Sequence, residues 1–309
     1  MHPFTRNPAK SVSALGEKNL IMAIRRWLGD ASPRSPFGIG DDCAVLPATR
    51  GRQLITVDPV IYGRHFDDSV PPEAVGAKLL KRNLSDIAAM GGRPLAAVLA
   101  ITLDASVSAR WLERFYRGLA AAARTYRVAI VGGDVAEGRG TVAASLTLLG
   151  AATGPRILTR NGARAGDWIY VTGKLGHSRP SGHHFRFTPR LAEGAWLARR
   201  TAVRAMMDVS DGVAKDLHAL TPPGTSPALE AAVIPRRAGA SIRAALTDGE
   251  DYELLFVVAA AANRPALHRS WRIQFPRIRL TCIGRFLPRR GNAPAGLALG
   301  DYHGYEHFR

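Results

Sequence analysis

The sequence predicts an α+β sheet with helices on one face in its first half and an α/β domain in its second. Three observations carry this reading. Apolar runs of strand length and amphipathic helical stretches interleave up to residue 152 without strict alternation. Gly154-Pro155 then interrupts the pattern. Beyond that break, strands and helices alternate again. The 309 residues suffice for two domains of about 150.

Residues 1–16 show no periodicity and are expected to form a loose, flexible arm. Glu17–Leu28 reads as a helix with Leu20, Ile21, Ile24, Trp27 and Leu28 on one face. The acidic turn Gly38-Ile-Gly-Asp-Asp42 follows, then strand-like runs Cys43–Leu46 and Gln53–Val57. Glu73–Met90 is an amphipathic helix stopped by Gly91-Gly92. Leu95–Leu103 is a strand, and Ser108 is placed to cap a helix reaching Tyr126. Val128–Val131 is a short strand ending in Gly132-Gly133-Asp134, and Thr141–Ala152 is a long one.

In the second half, strands are expected at Trp168–Val171, Ala228–Val233 and Glu253–Val258. Helices are expected around Pro189–Arg200, Gly212–Leu220 and Gly239–Leu246. The stretch between Gly173 and Pro189 is too rich in Gly, Pro and His for regular structure. The expected division is an arm (1–16), a first domain (17–153) and a second (154–309).

Composition narrows the function classes. A chain that is 46% hydrophobic and 22% charged is not disordered. Cys43 and Cys282 alone cannot make a disulfide framework. Leu95–Leu103 and Leu254–Ala262 are about half the length of a membrane span. The first twenty residues lack the apolar core of a secretory signal, so a soluble cytoplasmic protein is expected. Forty-two basic residues against 25 acidic ones give +17, and only six of the basic residues are lysine. That balance favours polyanionic partners, although a solvated arginine-rich surface explains it equally well.

The acids are placed where strands end and beside glycines: Asp41, Asp42, Asp58, Asp86, Asp134, Asp208, Asp211, Asp248, Glu250 and Asp251. Each alone reads as a turn or helix-cap residue. Together they would repel one another unless divalent cations neutralised them. Oxygen ligands without a His/Cys cluster point to Mg²⁺, which shares its shell with phosphates. Glycines beside the acids let backbone N–H groups approach phosphate oxygens, and Arg160 could add counter-charge. Phosphoryl transfer from a nucleotide is the chemistry this suggests. Neither a Walker motif nor a protein-kinase catalytic loop is present, so the nucleotide site is of another kind. His177, His183 and His184 lack the companion ligands of a metal site and read as a surface loop.

In order, GIGDDCAVL, TVD ending at Asp58 with His65 after it, NLSDIAAMGG, VGGD ending at Asp134, LTRNGARAGDWIYVTG, DVSDG and GEDYELLF resemble the thiamine-monophosphate kinase family. The Tyr302-His-Gly-Tyr-Glu-His-Phe ending is similar too, and the resemblance spans residues 17–309. It implies a ferredoxin-like N-terminal sheet-and-helix domain and a C-terminal α/β domain, the architecture of aminoimidazole ribonucleotide synthetase and selenophosphate synthetase. It also implies a homodimer joined through its N-terminal sheets, with active sites in the cleft between subunits. The implied reaction converts ATP and thiamine monophosphate to ADP and thiamine diphosphate with several Mg²⁺ ions.

By the same resemblance, Asp42, Thr56, Asp58, Asp86, Asp134, Asp208 and Asp211 would hold metal. Gly133, Asp134, Arg160 and Ser210 would contact ATP, and His65, Glu250 and Tyr302 the thiamine phosphate. No residue is expected to act as a general base, and neither membrane nor nucleic acid is an expected partner. The chain departs from the family at Val57, where threonine is usual, at Thr247-Asp248 in place of Ser-Gly, and in a shortened loop after Leu175. Two alternatives stand beside this reading. One is an enzyme of the same superfamily with another small-molecule acceptor. The other is a basic, non-catalytic homologue that binds nucleic acid.

Overall fold

A computed structural model describes residues 1–35, 37–39, 43–48, 51–289, 297 and 299–305. The chain divides into two compact units, Met1–Ile87 with Arg93–Ala151, and Ala88–Gly92 with Ala152–Arg309.

The first unit holds α1 (Gly16–Leu28), β1 (Gln53–Ile61), α2 (Pro72–Ala89), β2 (Gly92–Leu103), α3 (Ala109–Tyr126), β3 (Ala129–Glu137) and β4 (Val142–Ala152). Its four strands run in the order β1-β4-β2-β3, with β1 antiparallel to β4 and β2 parallel to β3. Burial alternates along β1: Leu54 and Val60 are buried, whereas Ile55 and Val57 are exposed. Helices therefore cover one face of the sheet, as the sequence predicts. Ile87 of α2 lies against Gly150 of β4 on that face.

Two glycines set how closely α2 and α3 cross. A Cβ on Gly76 would stand 2.0 Å from the Phe115 carbonyl oxygen, and one on Gly118 equally close to that of Glu73. Beside this contact, Arg114 of α3 clamps Glu73 of α2 through both carboxylate oxygens, at 2.5 and 2.9 Å.

Three expectations for this unit are corrected. The first sixteen residues are not a loose arm. Phe4 and Ser11 form bridges to Val107 and Ser108, Val12 N–H donates to the Val107 carbonyl, and Ser11 and Val12 are buried. Apolar side chains scattered without period can still dock an irregular segment. Cys43–Leu46 forms no strand, and Val45 and Leu46 are exposed. β3 does not end at Gly132-Gly133-Asp134 but runs through it to Glu137. Gly133 permits this, because a Cβ there would lie 2.1 Å from the Leu99 carbonyl oxygen of β2.

The second unit holds β5 (Trp168–Thr172), α4 (His183–Arg186), α5 (Leu191–Ala198), β6 (Val203–Asp208), α6 (Val213–Leu220), β7 (Thr225–Leu229), α7 (Ile242–Thr247), β8 (Leu254–Val258), α8 (Arg264–Gln274) and β9 (Leu280–Pro288). Its sheet runs β6-β8-β5-β9-β7, with every neighbouring pair antiparallel. Both faces are covered. Ile169, Val171 and Leu255 pack with Val213 and Leu217 of α6, while Tyr170, Phe256 and Val258 pack with Leu197 of α5 and Trp271 of α8. Burial on both sides explains why β5 and β8 read as continuous apolar runs.

Sequence periodicity gave no sign of α8 or β9. Only Leu267 and Trp271 of α8 are buried among its arginines, and Gly284 breaks the apolar run of β9. The Ala228–Val233 segment is the end of β7 followed by a 3₁₀ turn at Ala231–Val233. The Gly173–Pro189 stretch is irregular apart from the single turn of α4.

Candidate active site

In the first unit, the period of β1 turns Thr56 and Asp58 to the helix-covered face, toward α2. The Thr56 hydroxyl donates to Asp86 Oδ2 at 2.5 Å. Arg82 Nη2 donates to Asp58 Oδ1 at 3.3 Å, and its Nη1 donates to the Pro59 carbonyl. Lys78, Arg82 and Asp86 recur every four residues and so share one helix face. Lys78 is fully buried, and its ammonium donates to the His65 carbonyl at 2.9 Å. Burial also holds the Lys81 ammonium below its ordinary pKa. His65 is buried, its Nδ1 accepting the Ile61 N–H at 3.1 Å. Val57 lies on the opposite face of β1 from Asp58 and is 59% exposed.

Gly133 and Asp134 pair in register with Leu99 and Ala100 of β2. Both border a cavity of about 520 Å³ that Glu17, Ile21 and Ile24 of α1 also line. Its volume suits a nucleotide-sized ligand. Asp42 lies outside the described residues.

In the second unit, Asp208 ends β6 and is buried. The turn after it is fastened by Asp216, whose Oδ2 accepts the N–H groups of both Ser210 and Asp211 at 3.1 Å. Burial, reinforced by the nearby Asp211 charge, raises the Asp216 carboxyl to about 7. Asp211 pairs with Lys215 at 2.8 Å. The Ser210 carbonyl accepts the Glu250 N–H at 2.7 Å, which brings the two acidic segments together. Glu250 has a left-handed φ of 53°, and Gly249 before it would place a Cβ 2.6 Å from the Ser210 carbonyl oxygen.

Arg160 is exposed in the segment beside β6, where the Met206 N–H donates to the Thr159 carbonyl. Tyr302 packs on the core of this unit, with the Arg243 guanidinium 5.0 Å from its ring centre. The structure thus joins Thr56 to Asp86, and Ser210 to both Asp211 and Glu250. The segment that carries Tyr302 reaches Asp211, whose carbonyl accepts the Tyr305 N–H at 2.9 Å.

Sequence reasoning did not single out Asp216, Arg82, or the pairing of Asp251 with Arg237. Asp251 is fully buried and accepts from Gly176 N–H, the Ser178 hydroxyl and Arg237. Its Oδ2 has no hydrogen-bond partner among the described residues. Burial raises this carboxyl to about 7, against the pull of Arg237. The four-residue spacing of Lys78, Arg82 and Asp86 was a signal for the first cluster. The Asp251 contacts reach across 14 to 75 positions and leave no periodic trace.

For a metal, the first unit offers Thr56, Asp58 and Asp86, an all-oxygen donor set that suits Mg²⁺. Among the described residues no three His, Cys, Asp or Glu side chains converge into a preformed cage.

Residues 40–154 match the family model described as AIR synthase related protein, N-terminal domain. The first unit's fold fits that broad class. Over 96% of its length the chain is 35% identical to the thiamine-monophosphate kinase of Salmonella typhimurium, of which it covers 99%. It also superposes on the crystal structure of thiamine-monophosphate kinase from Stenotrophomonas maltophilia with a TM-score of 0.73 and 31% identity, over 88% of this chain and 94% of that one. A third relative, described as AaThiL complexed with AMPPCP and TMP, gives a TM-score of 0.70 at 29% identity, over 96% and 98%. The chain belongs to the thiamine-monophosphate kinase family.

Proposed function

We propose that this protein transfers the γ-phosphoryl group of ATP to thiamine monophosphate, releasing ADP and thiamine diphosphate. The observation that carries the reading is likeness, across nearly the whole chain, to enzymes of that name. A solved relative described with AMPPCP, an ATP analogue, and TMP supports it further.

The acceptor is a phosphate oxygen, already anionic near neutral pH, so no residue need remove a proton. A new oxygen–phosphorus bond forms at the γ-phosphorus as the bond to the β,γ-bridging oxygen breaks. What the protein contributes is alignment and charge compensation. Gly133 and Asp134 border the cavity that takes the nucleotide, and Arg160 and Ser210 contact it. Asp42, Thr56, Asp58, Asp86, Asp134, Asp208 and Asp211 hold Mg²⁺. The ions neutralise phosphate charge when bound. His65, Glu250 and Tyr302 meet the thiamine phosphate; Glu250 matches a cationic ring by charge, and Tyr302 offers an aromatic face.

The outer face of the first sheet supports a homodimer. Ile55 is 71% exposed, Val57 59% and Val98 41%, an apolar surface of the kind a second copy covers. No described helix is long and apolar enough to cross a membrane, and we place the enzyme in the cytoplasm with its substrates.

The test is transfer from radiolabelled ATP to a panel of phosphate acceptors, with the stereochemistry followed at a chiral γ-phosphate. Preference for thiamine monophosphate and inversion are expected. Another preferred acceptor overturns the substrate, and retention overturns direct transfer.

A further inference from the structure

The turn that carries Glu250 has an unusual backbone. Glu250 and Tyr252 both have left-handed φ, 53° and 50°, and neither is glycine. Residues with side chains keep such angles only where their surroundings dictate them. Between the two lies Asp251, fully buried. Its Oδ1 accepts the Gly176 N–H at 3.0 Å, the Ser178 hydroxyl at 2.7 Å and Arg237 Nη1. The same Nη1 donates to the Gly176 carbonyl at 2.9 Å and lies 3.3 Å from Ser178 Oγ. One nitrogen thus ties Asp251 to the 176–178 loop. The Arg237 side chain is only 11% exposed, and its own segment is held by the chain around Leu175. Leu175 N–H donates to the Pro235 carbonyl at 2.8 Å, and Arg237 N–H to that of Leu175 at 3.0 Å.

We propose that Arg237 is a positioning residue for the acceptor: through Asp251 it holds the left-handed turn that aims Glu250. It lies outside every motif that carries the family likeness. This role deepens the functional reading above and rests on it at one point, the assignment of Glu250 to the acceptor. Without the guanidinium, Asp251 keeps two donors but loses its counter-charge in a buried place. The turn then relaxes toward the ordinary φ of residues with side chains, and Glu250 moves with it. Glu250 meets the ring of the acceptor, away from the transferred phosphoryl group. Its displacement weakens ground state and transition state alike, so KM rises while kcat holds. A lysine ammonium can stand in for the guanidinium, because Nη1 alone makes all of these side-chain contacts.

The test is steady-state kinetics, with ATP and thiamine monophosphate varied separately. The proteins are wild type, Arg237→Met, Arg237→Lys, Glu250→Gln and Arg237→Met/Glu250→Gln. Arg237→Met should raise KM for thiamine monophosphate about 10-fold, with kcat and KM for ATP within about threefold of wild type. Arg237→Lys should stay within about threefold of wild type throughout. In the Glu250→Gln background, Arg237→Met should change KM less than about twofold, because its effect runs through that carboxylate. An unchanged KM for thiamine monophosphate overturns the proposal, as do equal losses toward both substrates or an effect that lysine does not rescue. An undiminished effect in the Glu250→Gln background, or a Glu250→Gln protein without turnover, overturns it too. If Arg237→Met does not fold, Arg237→Met/Asp251→Asn, which removes both charges, carries the same expectation. Failure of that protein to fold as well assigns the pair to stability and overturns positioning. All of these failures leave the functional reading standing. Wild-type protein that does not phosphorylate thiamine monophosphate overturns that reading, and the positioning role with it.

Discussion

The two units present their acidic residues in opposite ways. In the first, they sit on regular elements: Asp58 on β1 beside Thr56, Asp86 on α2 and Asp134 on β3. A period of two or of four residues decides which way each one points. In the second, Asp208 ends β6 but the others sit on turns between elements, at 211 and 248–251, and backbone bonds to distant segments orient them. Left-handed residues shape those turns, with φ of 103° at Gly212, 68° at Gly249 and 53° at Glu250.

The electrostatics divide the same way. Arg114 holds Glu73 of the first unit below its ordinary pKa, and hydrogen bonds from Ser106 and Gly140 hold Asp104 at about 2. Burial instead lifts Asp216 and Asp251 of the second unit to about 7. In the first unit, hydrogen-bonding partners thus favour the charged forms of Glu73 and Asp104. The second spends buried carboxyl groups on holding its turns in place.

The largest effect should come from the regular scaffold. Asp58→Asn or Asp134→Asn should lower turnover more than about 1000-fold, because each removes charge from a multi-ligand phosphate site. Steady-state rates, with circular dichroism to confirm an intact fold, check this. Near-normal turnover in either variant would mean that the strand-borne acids are only structural.

Next comes the packing that sets up β3. Gly133→Ala should destabilise the protein by about 3 kcal/mol, since its methyl meets the Leu99 carbonyl. Gly132→Ala, whose methyl would stand 3.5 Å from Val98 Cγ1, should change stability by no more than about 1 kcal/mol. Urea midpoints for the two variants sharpen the contrast between adjacent glycines. On the outer face of the same sheet, where we propose the dimer contact, wild-type protein should sediment as a dimer and Val57→Lys as a monomer. An unaltered dimer would move the interface elsewhere.

The turns are tested through pH. A carboxyl held at about 7 in the fold, against an ordinary value of 3.8, binds more protons folded than unfolded. Its contribution to stability is full below about pH 4 and is lost as the pH rises through 7. Melting temperature should therefore fall less between pH 4 and 8 in Asp216→Asn than in the wild type. Identical slopes would remove Asp216 from the account.

This contrast also explains what the sequence made legible. α1, α2, α3 and β1 declared themselves through apolar periods, and Thr56, Asp58 and Asp86 could be placed on faces from the same counting. The motif Asp-Val-Ser-Asp-Gly was visible as a string of acids and glycine. What fastens it was hidden, because Asp216 lies inside a helix and bonds back to main-chain N–H groups. The Arg179–Glu250 and Arg237–Asp251 pairs join positions 71 and 14 residues apart, and no local pattern records them. α8 escaped notice because only two of its eleven side chains are buried.

One assay bears most directly on the central claim. Purified protein is incubated with ATP, Mg²⁺ and thiamine monophosphate, and thiamine diphosphate is followed as its fluorescent thiochrome. The account predicts product that disappears when ATP or Mg²⁺ is withheld. No product, from protein that binds ATP in the presence of Mg²⁺, would contradict it.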